Sequence, residues 1–82
     1  MRANSRTGAG AEIDLVLFDS KYRPIAIEIK YSMSPKLERG FWNAYEDLSC
    51  RKGYVVYPGA ESYPIGKNVY TLPVIDVAKV FD

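Results

Sequence analysis

Apolar and charged residues alternate in two segments near the start of the chain, residues 12–18 and 24–31. Alternation at every second position predicts β-strands, because successive side chains of a strand point to opposite faces of the sheet. The intervening residues 19–23 are mostly polar and predict a turn. A break this short favours an antiparallel hairpin, and Pro24 can open the second strand because a donor is not required there.

Four charged residues are expected on one face of this hairpin: Glu12, Asp14, Glu28 and Lys30. In the favoured register Asp14 lies opposite Glu28, which also places Glu12 opposite a residue of the other sign, Lys30. Registers shifted by two residues keep the same faces and change the partners. Ile13, Leu15 and Leu17 of the first strand and Ile25, Ile27, Ile29 and Tyr31 of the second are expected on the other face.

Apolar residues at helical spacing follow the hairpin. Ser34 and Pro35 are typical of the N-cap and the first position of a helix, and Gly53 is typical of a helix end. We therefore predict a helix over residues 35–50 that packs its apolar side on the sheet. Its apolar positions are Leu37, Phe41, Ala44, Tyr45 and Leu48.

The second half of the chain predicts a third strand at residues 54–57, a loop at 58–67, a marginal fourth strand at 68–72 and a closing helix at 73–81. The helix between the second and third strands makes these two strands parallel. The expected fold is therefore α/β, with a small mixed sheet made of a β-hairpin, a crossover helix and a parallel strand. Inward residues of the closing helix are expected to be Val74, Val77 and Phe81.

Length and composition predict one small domain over residues 1–82, with a net charge of +1 that gives no bulk attraction to nucleic acid. Histidine is absent, which excludes His-based acid–base catalysis, His-containing triads and His-ligated zinc. Cys50 is the only cysteine, so we expect no internal disulfide and interpret Cys50 as a packing residue. Because no apolar run spans a bilayer and no signal-peptide pattern is present, we expect a cytoplasmic protein without a membrane partner.

The paired acidic residues suggest a site for a hard divalent cation, Mg²⁺ or Mn²⁺. Such ions bind oxygen ligands and often need only one or two carboxylates from the protein. Asp14 and Glu28 would supply these, the carbonyl of Ile29 a third oxygen, and Glu12 an auxiliary ligand or a salt bridge to Lys30. Lys30 could orient water or stabilise charge on a phosphate. The alternative is a solvated strand face whose charge pairs contribute only tenths of a kcal/mol.

These residues resemble the Asp…(Asp/Glu)-x-Lys motif of the restriction-endonuclease-like fold. Residues 10–17 (GAEIDLVL), 26–30 (AIEIK) and 53–59 (GYVVYPG) together resemble the C-terminal domain of a bacterial and archaeal AAA-type ATPase family of unknown function. The resemblance implies a nuclease-like domain that acts on DNA, with Asp14, Glu28 and Lys30 as catalytic residues. The alternative that it implies is a non-catalytic accessory or dimerisation module of an AAA-type protein, which binds DNA or protein.

The sequence departs from the restriction-endonuclease-like pattern at its start, where the helix that normally precedes the first strand is missing. We therefore expect a fragment of a longer protein, or a domain that completes itself through a partner. Because the missing helix would leave apolar sheet surface to cover, self-association as a homo-oligomer is expected. The chain also lacks the Gly-x-x-x-x-Gly-Lys-(Ser/Thr) phosphate loop of an ATPase, and Phe41 stands where RecB-type exonucleases have glutamine.

Overall fold

One mixed β-sheet with two short helices makes up the part of the chain that the computed structural model describes. It describes the backbone of residues 2–4 and 13–81 and the side chains of residues 13–79. The strands are β1 (Arg2–Asn4), β2 (Leu15–Phe18), β3 (Pro24–Ile29), β4 (Lys52–Tyr57), β5 (Pro64–Gly66) and β6 (Val69–Pro73). The helices are α1 (Arg39–Asp47) and α2 (Val77–Phe81). The strand order is β1-β2-β3-β4-β6-β5, and this confirms the predicted mixed α/β sheet.

The β2–β3 hairpin has the predicted register, with Phe18 opposite Pro24 and Leu15 opposite Ile27. Its turn is closed by the N–H of Tyr22, which donates to the Asp19 carbonyl at 2.9 Å. Tyr22 has a φ of 60°, as expected for a tight turn followed by one left-handed residue. This turn fixes the register, and the register decides which residues meet at the open end of the hairpin.

The first strand of this hairpin is shorter than predicted. β2 begins at Leu15, and the chain bends at Asp14. Ile13 therefore does not share a face with Leu15 and Leu17, as the alternation predicted. It is fully buried on the opposite face, together with Val16. The bend breaks the alternation of faces, and it leaves the backbone N–H of Asp14 within hydrogen-bonding distance of a side chain on β3.

The helix α1 connects two parallel neighbours, β3 and β4, as predicted, but its predicted start was wrong. It begins at Arg39 rather than at Pro35, which is buried in an irregular segment. Ser34 does not cap the helix; its own N–H donates to the hydroxyl of Ser32 at 3.0 Å. Because Pro35 is held by tertiary packing, the local start signal is overridden and the helix loses its first turn.

The predicted helix end was also wrong, because Gly53 lies inside β4. The helix ends at Asp47, and Ser49 adopts the left-handed conformation with a φ of 53°. Ser49 donates its N–H to the Glu46 carbonyl and Cys50 to the Tyr45 carbonyl, both at 3.0 Å. These two bonds form a Schellman motif, with serine at the position that usually holds glycine.

Apolar side chains form a cluster on each face of the sheet. On one face α1 packs through Phe41 and Ala44 against strand residues; this helix-side cluster consists of Ile13, Val16, Ala26, Phe41, Ala44, Val55 and Val69. The buried cluster of the other face consists of Ile25, Ile27, Val56 and Leu72. Each large apolar side chain buried in this way contributes about 1.5–3 kcal/mol to folding. The parallel strands β3, β4 and β6 thus have buried residues on both faces, as parallel neighbours require.

The C-terminal part contains the predicted fourth strand, β6, parallel to β4, and an edge strand, β5, inside the predicted loop 58–67. The closing segment is a single 3-10 turn, Val74–Asp76, followed by α2. Val77 packs on the sheet as predicted, but Val74 is 55% exposed, so its predicted inward position was wrong. The side chain of Phe81 lies outside the described residues. No helix among the described residues is long and apolar enough to cross a membrane.

Candidate metal centre

Asp14 and Glu28 meet at the open end of the β2–β3 hairpin through two reciprocal hydrogen bonds. The backbone N–H of Asp14 donates to Oε1 of Glu28 at 3.1 Å. The backbone N–H of Ile29 donates to Oδ2 of Asp14 at 2.9 Å. Each carboxylate therefore reaches across to the backbone of the other strand, so the acidic pair predicted from the sequence is brought together.

The second of these bonds replaces a bond of the strand ladder. The N–H of Lys30 donates to the Val56 carbonyl of β4 at 2.9 Å, so the N–H of the preceding residue, Ile29, points towards β2. Because β2 has bent away at Asp14, the carboxylate of Asp14 takes the place of a strand carbonyl as acceptor. The carbonyl of a strand residue points to the same side as its N–H, so the Ile29 carbonyl lies on the Asp14 side of β3.

Lys30 lies on the same face as Glu28, as the alternation predicted. Its Nζ lies 3.9 Å from Oε2 of Glu28, and the two side chains are 30% and 13% exposed. A pair at this distance and exposure contributes at most tenths of a kcal/mol to stability. The Glu28 side chain is nevertheless largely shielded from solvent. The alternative interpretation from the sequence, a solvated strand face, would leave this side chain exposed.

The donor set fits an ion that keeps much of its own water. No group of three or more His, Cys, Asp or Glu residues among the described residues could hold a metal ion. Glu12, the predicted auxiliary ligand and partner of Lys30, lies outside the described residues. What remains is two carboxylates and the Ile29 carbonyl, all hard oxygen donors. Mg²⁺ is commonly bound in this way, through one or two carboxylates with water and substrate phosphate completing the shell.

Cys50 does not take part in this centre. It packs against the helix-side cluster, and burial raises the pKa of its thiol to about 11. A thiol with such a pKa is protonated at neutral pH and is a poor nucleophile. It borders a cleft of about 400 Å³ that also includes Trp42 and Tyr45, whose rings meet edge to face. The sequence contains no spacing signal for this cleft, because Lys67 and Asn68 reach it from the loop before β6.

Comparison with known proteins relates nearly the whole chain to one family. Residues 5–76 match the family described as "Domain of unknown function (DUF4143)". Two mycobacterial proteins, uncharacterized protein Mb2031c of Mycobacterium bovis and uncharacterized protein Rv2008c of Mycobacterium tuberculosis, are each 34% identical over 68 residues. The match covers 83% of this chain and 15% of the length of either relative.

No solved structure matches the chain. DUF4143 domains are often found in proteins associated with AAA ATPases, which agrees with the ATPase-linked family that the sequence resembles. Because the family match extends over most of the chain and both relatives share about a third of the aligned residues, the chain belongs to the DUF4143 family.

Proposed function

We propose that this domain is nuclease-like and carries a divalent-metal phosphodiesterase-type site that acts on DNA. The observation that carries the proposal is the bend at Asp14, where the carboxylate accepts the Ile29 N–H and the backbone N–H donates to Glu28. Glu28 in turn lies 3.9 Å from the ammonium group of Lys30. Two hard ligands and a cation on adjacent strands are the parts that metal-assisted phosphodiester hydrolysis needs. The restriction-endonuclease-like motif that these residues resemble supports the same assignment.

Asp14 and Glu28 would hold Mg²⁺ or Mn²⁺, with the Ile29 carbonyl as a third ligand. When bound, the ion supplies Lewis-acid polarisation of a phosphate oxygen. The Ile29 N–H fixes one oxygen of Asp14, so the carboxylate is oriented before any ligand arrives. Lys30 places its ammonium group next to Glu28, where it would stabilise negative charge on the reacting phosphate or orient the attacking water.

Metal binding is tested by calorimetric titration of Mg²⁺ and Mn²⁺ into the full chain and into Asp14→Asn. We expect the substitution to weaken binding at least about tenfold, because a neutral amide oxygen is a poorer ligand for a hard cation. Asp47→Asn is the matched control, since Asp47 is exposed at the end of α1. The proposed metal site would be contradicted if the unsubstituted chain did not bind either ion, or if Asp14→Asn did not change the affinity.

Catalysis is tested separately by cleavage of single- and double-stranded DNA in the presence of each metal. Lys30→Ala should abolish cleavage while metal affinity stays within a few-fold, and the exposed Lys36 provides a matched alanine control. Because the net charge is only +1, cleavage should depend on local contacts rather than on bulk attraction to DNA. Metal binding without cleavage would mean that the site is degenerate.

The second candidate is a non-catalytic accessory or dimerisation module of a protein associated with an AAA ATPase. DUF4143 domains are often found in proteins associated with AAA ATPases, which favours this candidate. The chain also spans only 15% of the length of its curated relatives. This function needs no metal. A chain that fails to bind Mg²⁺ and Mn²⁺ but associates with itself or with another protein would favour this candidate over the nuclease.

A further inference from the structure

The turn of the β2–β3 hairpin gathers positive charge around one carboxylate. Oδ1 of Asp19 accepts the backbone N–H groups of Lys21 and Arg23, at 2.8 and 2.9 Å. Its Oδ2 lies 3.0 Å from Nε of Arg23 and 3.6 Å from Nε of Arg51. Because both guanidinium groups lie within ion-pair distance of the same oxygen atom, the two arginines are neighbours although they are far apart in the chain.

This end of the hairpin carries more positive charge than its carboxylate neutralises. We call the surface the turn-end patch; its members are Lys21, Tyr22, Arg23 and Arg51. Three cations face one carboxylate, Asp19, so the patch has an excess of two positive charges. The chain has 11 Lys and Arg residues against 10 Asp and Glu residues, so the rest of it has one negative charge in excess. The positive charge of the chain is therefore concentrated at this turn.

The cations of the turn-end patch are accessible to a partner. The side chains of Arg23 and Arg51 are 50% and 39% exposed, and Lys21 is exposed as well. The acidic residues 46–47 at the end of α1 precede Arg51 in the chain. Among the described residues they form no ion pair with the cations of the patch, whose carboxylate partner is Asp19.

Tyr22 lies between two of these cations and is 70% exposed. Its φ of 60° is in the left-handed region, which favours glycine or asparagine and is unusual for a bulky aromatic residue. In the described part of the chain its ring belongs to no aromatic pair. Neither the turn geometry nor packing therefore accounts for tyrosine at this position. An exposed aromatic ring among cations is the combination that binds single-stranded nucleic acids.

We propose that the turn-end patch binds single-stranded nucleic acid, with Arg23 and Arg51 on a phosphate and Tyr22 stacked on a base. Guanidinium groups suit phosphate because their planar N–H groups pair with two oxygens at once. The bond from Arg23 to Asp19 uses the Nε donor, and a guanidinium group has four others. The bases of a single strand can stack on tyrosine, whereas those of a duplex are stacked on each other. An acidic peptide would use the arginines and leave the ring without a partner.

The turn-end patch is distinct from the candidate metal centre. Five residues separate Asp14 from Asp19, which corresponds to roughly 17 Å of extended chain. The proposal does not rest on the proposed metal site, because binding at the patch needs no ion. Its failure would leave the metal titration unaffected, and failure of the metal site would leave the patch unaffected.

Fluorescence anisotropy of a labelled oligothymidylate tests the proposal, with the full 82-residue chain at low salt in EDTA. We expect a dissociation constant on the order of 10⁻⁴ to 10⁻⁶ M, as for other contacts without sequence preference. Asp14→Asn should leave this affinity unchanged, since no metal ion is present.

Substitutions of Tyr22 test the stacking. Tyr22→Asn should weaken binding at least about fivefold, because it removes one stacked base. Asparagine tolerates the left-handed conformation, so the urea midpoint of this variant should be unchanged or higher, and a loss of binding cannot then come from unfolding. Tyr22→Phe keeps the ring and should stay within about twofold of the parent. Tyr31→Ala is the matched control, since Tyr31 is 92% exposed beyond the other end of β3.

Substitution of an arginine tests the phosphate contact. Arg51→Gln should weaken binding and lower the slope of log affinity against log salt by about one, whereas Arg39→Gln, an exposed arginine at the start of α1, should change neither. An oligomer of the same length without bases should bind at least about fivefold more weakly than oligothymidylate.

Three results would each overturn the proposal. The first is no binding of oligothymidylate at about 1 mM protein. The second is a loss of affinity in Tyr22→Asn that is no larger than in Tyr31→Ala. The third is an oligomer without bases that binds as tightly as oligothymidylate, because the patch would then recognise negative charge alone.

Discussion

Two substitutions at Asp14 separate its structural task from its proposed metal binding. Asp14 accepts the N–H of Ile29 at 2.9 Å, and this bond holds the bend that precedes β2. Alanine removes the acceptor and the charge together. Asparagine keeps an oxygen acceptor of the same shape and removes only the charge. The expected stabilities of the two variants therefore differ, whereas both should lose metal affinity.

The magnitude follows from the exposure of the bond. A hydrogen bond to a charged group contributes about 1.5–3 kcal/mol when shielded, but Ile29 is 47% exposed and water can replace the lost acceptor. We therefore expect Asp14→Ala to lower the free energy of unfolding by about 1 kcal/mol. We expect Asp14→Asn to stay within about 0.5 kcal/mol of the unsubstituted chain, because the amide oxygen still accepts from the Ile29 N–H.

Urea unfolding followed by the fluorescence of Trp42 measures both values, and an unchanged dependence on urea shows that the variants unfold as the parent does. Equal loss of stability in both variants would refute the account of the bend, because the shared acceptor would then not matter. If Asp14→Asn is as stable as the parent, its loss of metal binding cannot be attributed to unfolding.

Three further predictions concern stability. Ser49→Gly should stabilise the chain by up to about 1 kcal/mol in chemical denaturation, because serine at a φ of 53° carries a left-handed penalty that glycine lacks; Ser49→Ala should give no gain. Gly66→Ala should cost about 1–3 kcal/mol and lower the melting temperature, since the added Cβ would lie 2.4 Å from the Trp42 ring; an unchanged melting temperature would mean that the ring moves freely. The N–H of Arg23 lowers the pKa of the Asp19 carboxyl. The ionised Asp19 therefore stabilises the folded chain above the unfolded-state pKa, and this contribution is lost as the pH falls below about 4. Asp19→Asn should flatten that part of the pH profile of the urea midpoint.

The hairpin could be predicted because its information is local. A polar break of five residues, 19–23, allows few turns, and the alternation on either side allows only registers that keep the faces. The observed pairing of Phe18 with Pro24 is the favoured register. The parallel pairing of β3 and β4 could be predicted equally well, since a helix that connects two neighbouring strands allows both strands to run in the same direction.

The helix shows where local signals fail. Ser34 and Pro35 have the chemistry of a helix start, yet the helix begins at Arg39 because Pro35 is buried by its surroundings. Gly53 has the chemistry of a helix end, yet it serves close packing in β4, where an added Cβ would lie 3.2 Å from Tyr45. Ser49 adopts the left-handed backbone conformation at the helix end instead. Serine rarely adopts this conformation, so the residue type did not indicate the helix end.

The sequence by itself determined the hairpin, its register and the placement of Glu28 and Lys30 on one face, because period, turn length and charge are properties of neighbouring residues. Only the tertiary structure decided the bend at Asp14. The alternation continues unbroken through that position, and the bend depends on bonds from Glu28 and Ile29 on another strand. The same is true of the small pocket that Tyr31 and Val74 line together, because these two residues follow strands that are far apart in the chain. Contacts of that kind arise only when the sheet is assembled, so no local pattern could predict them.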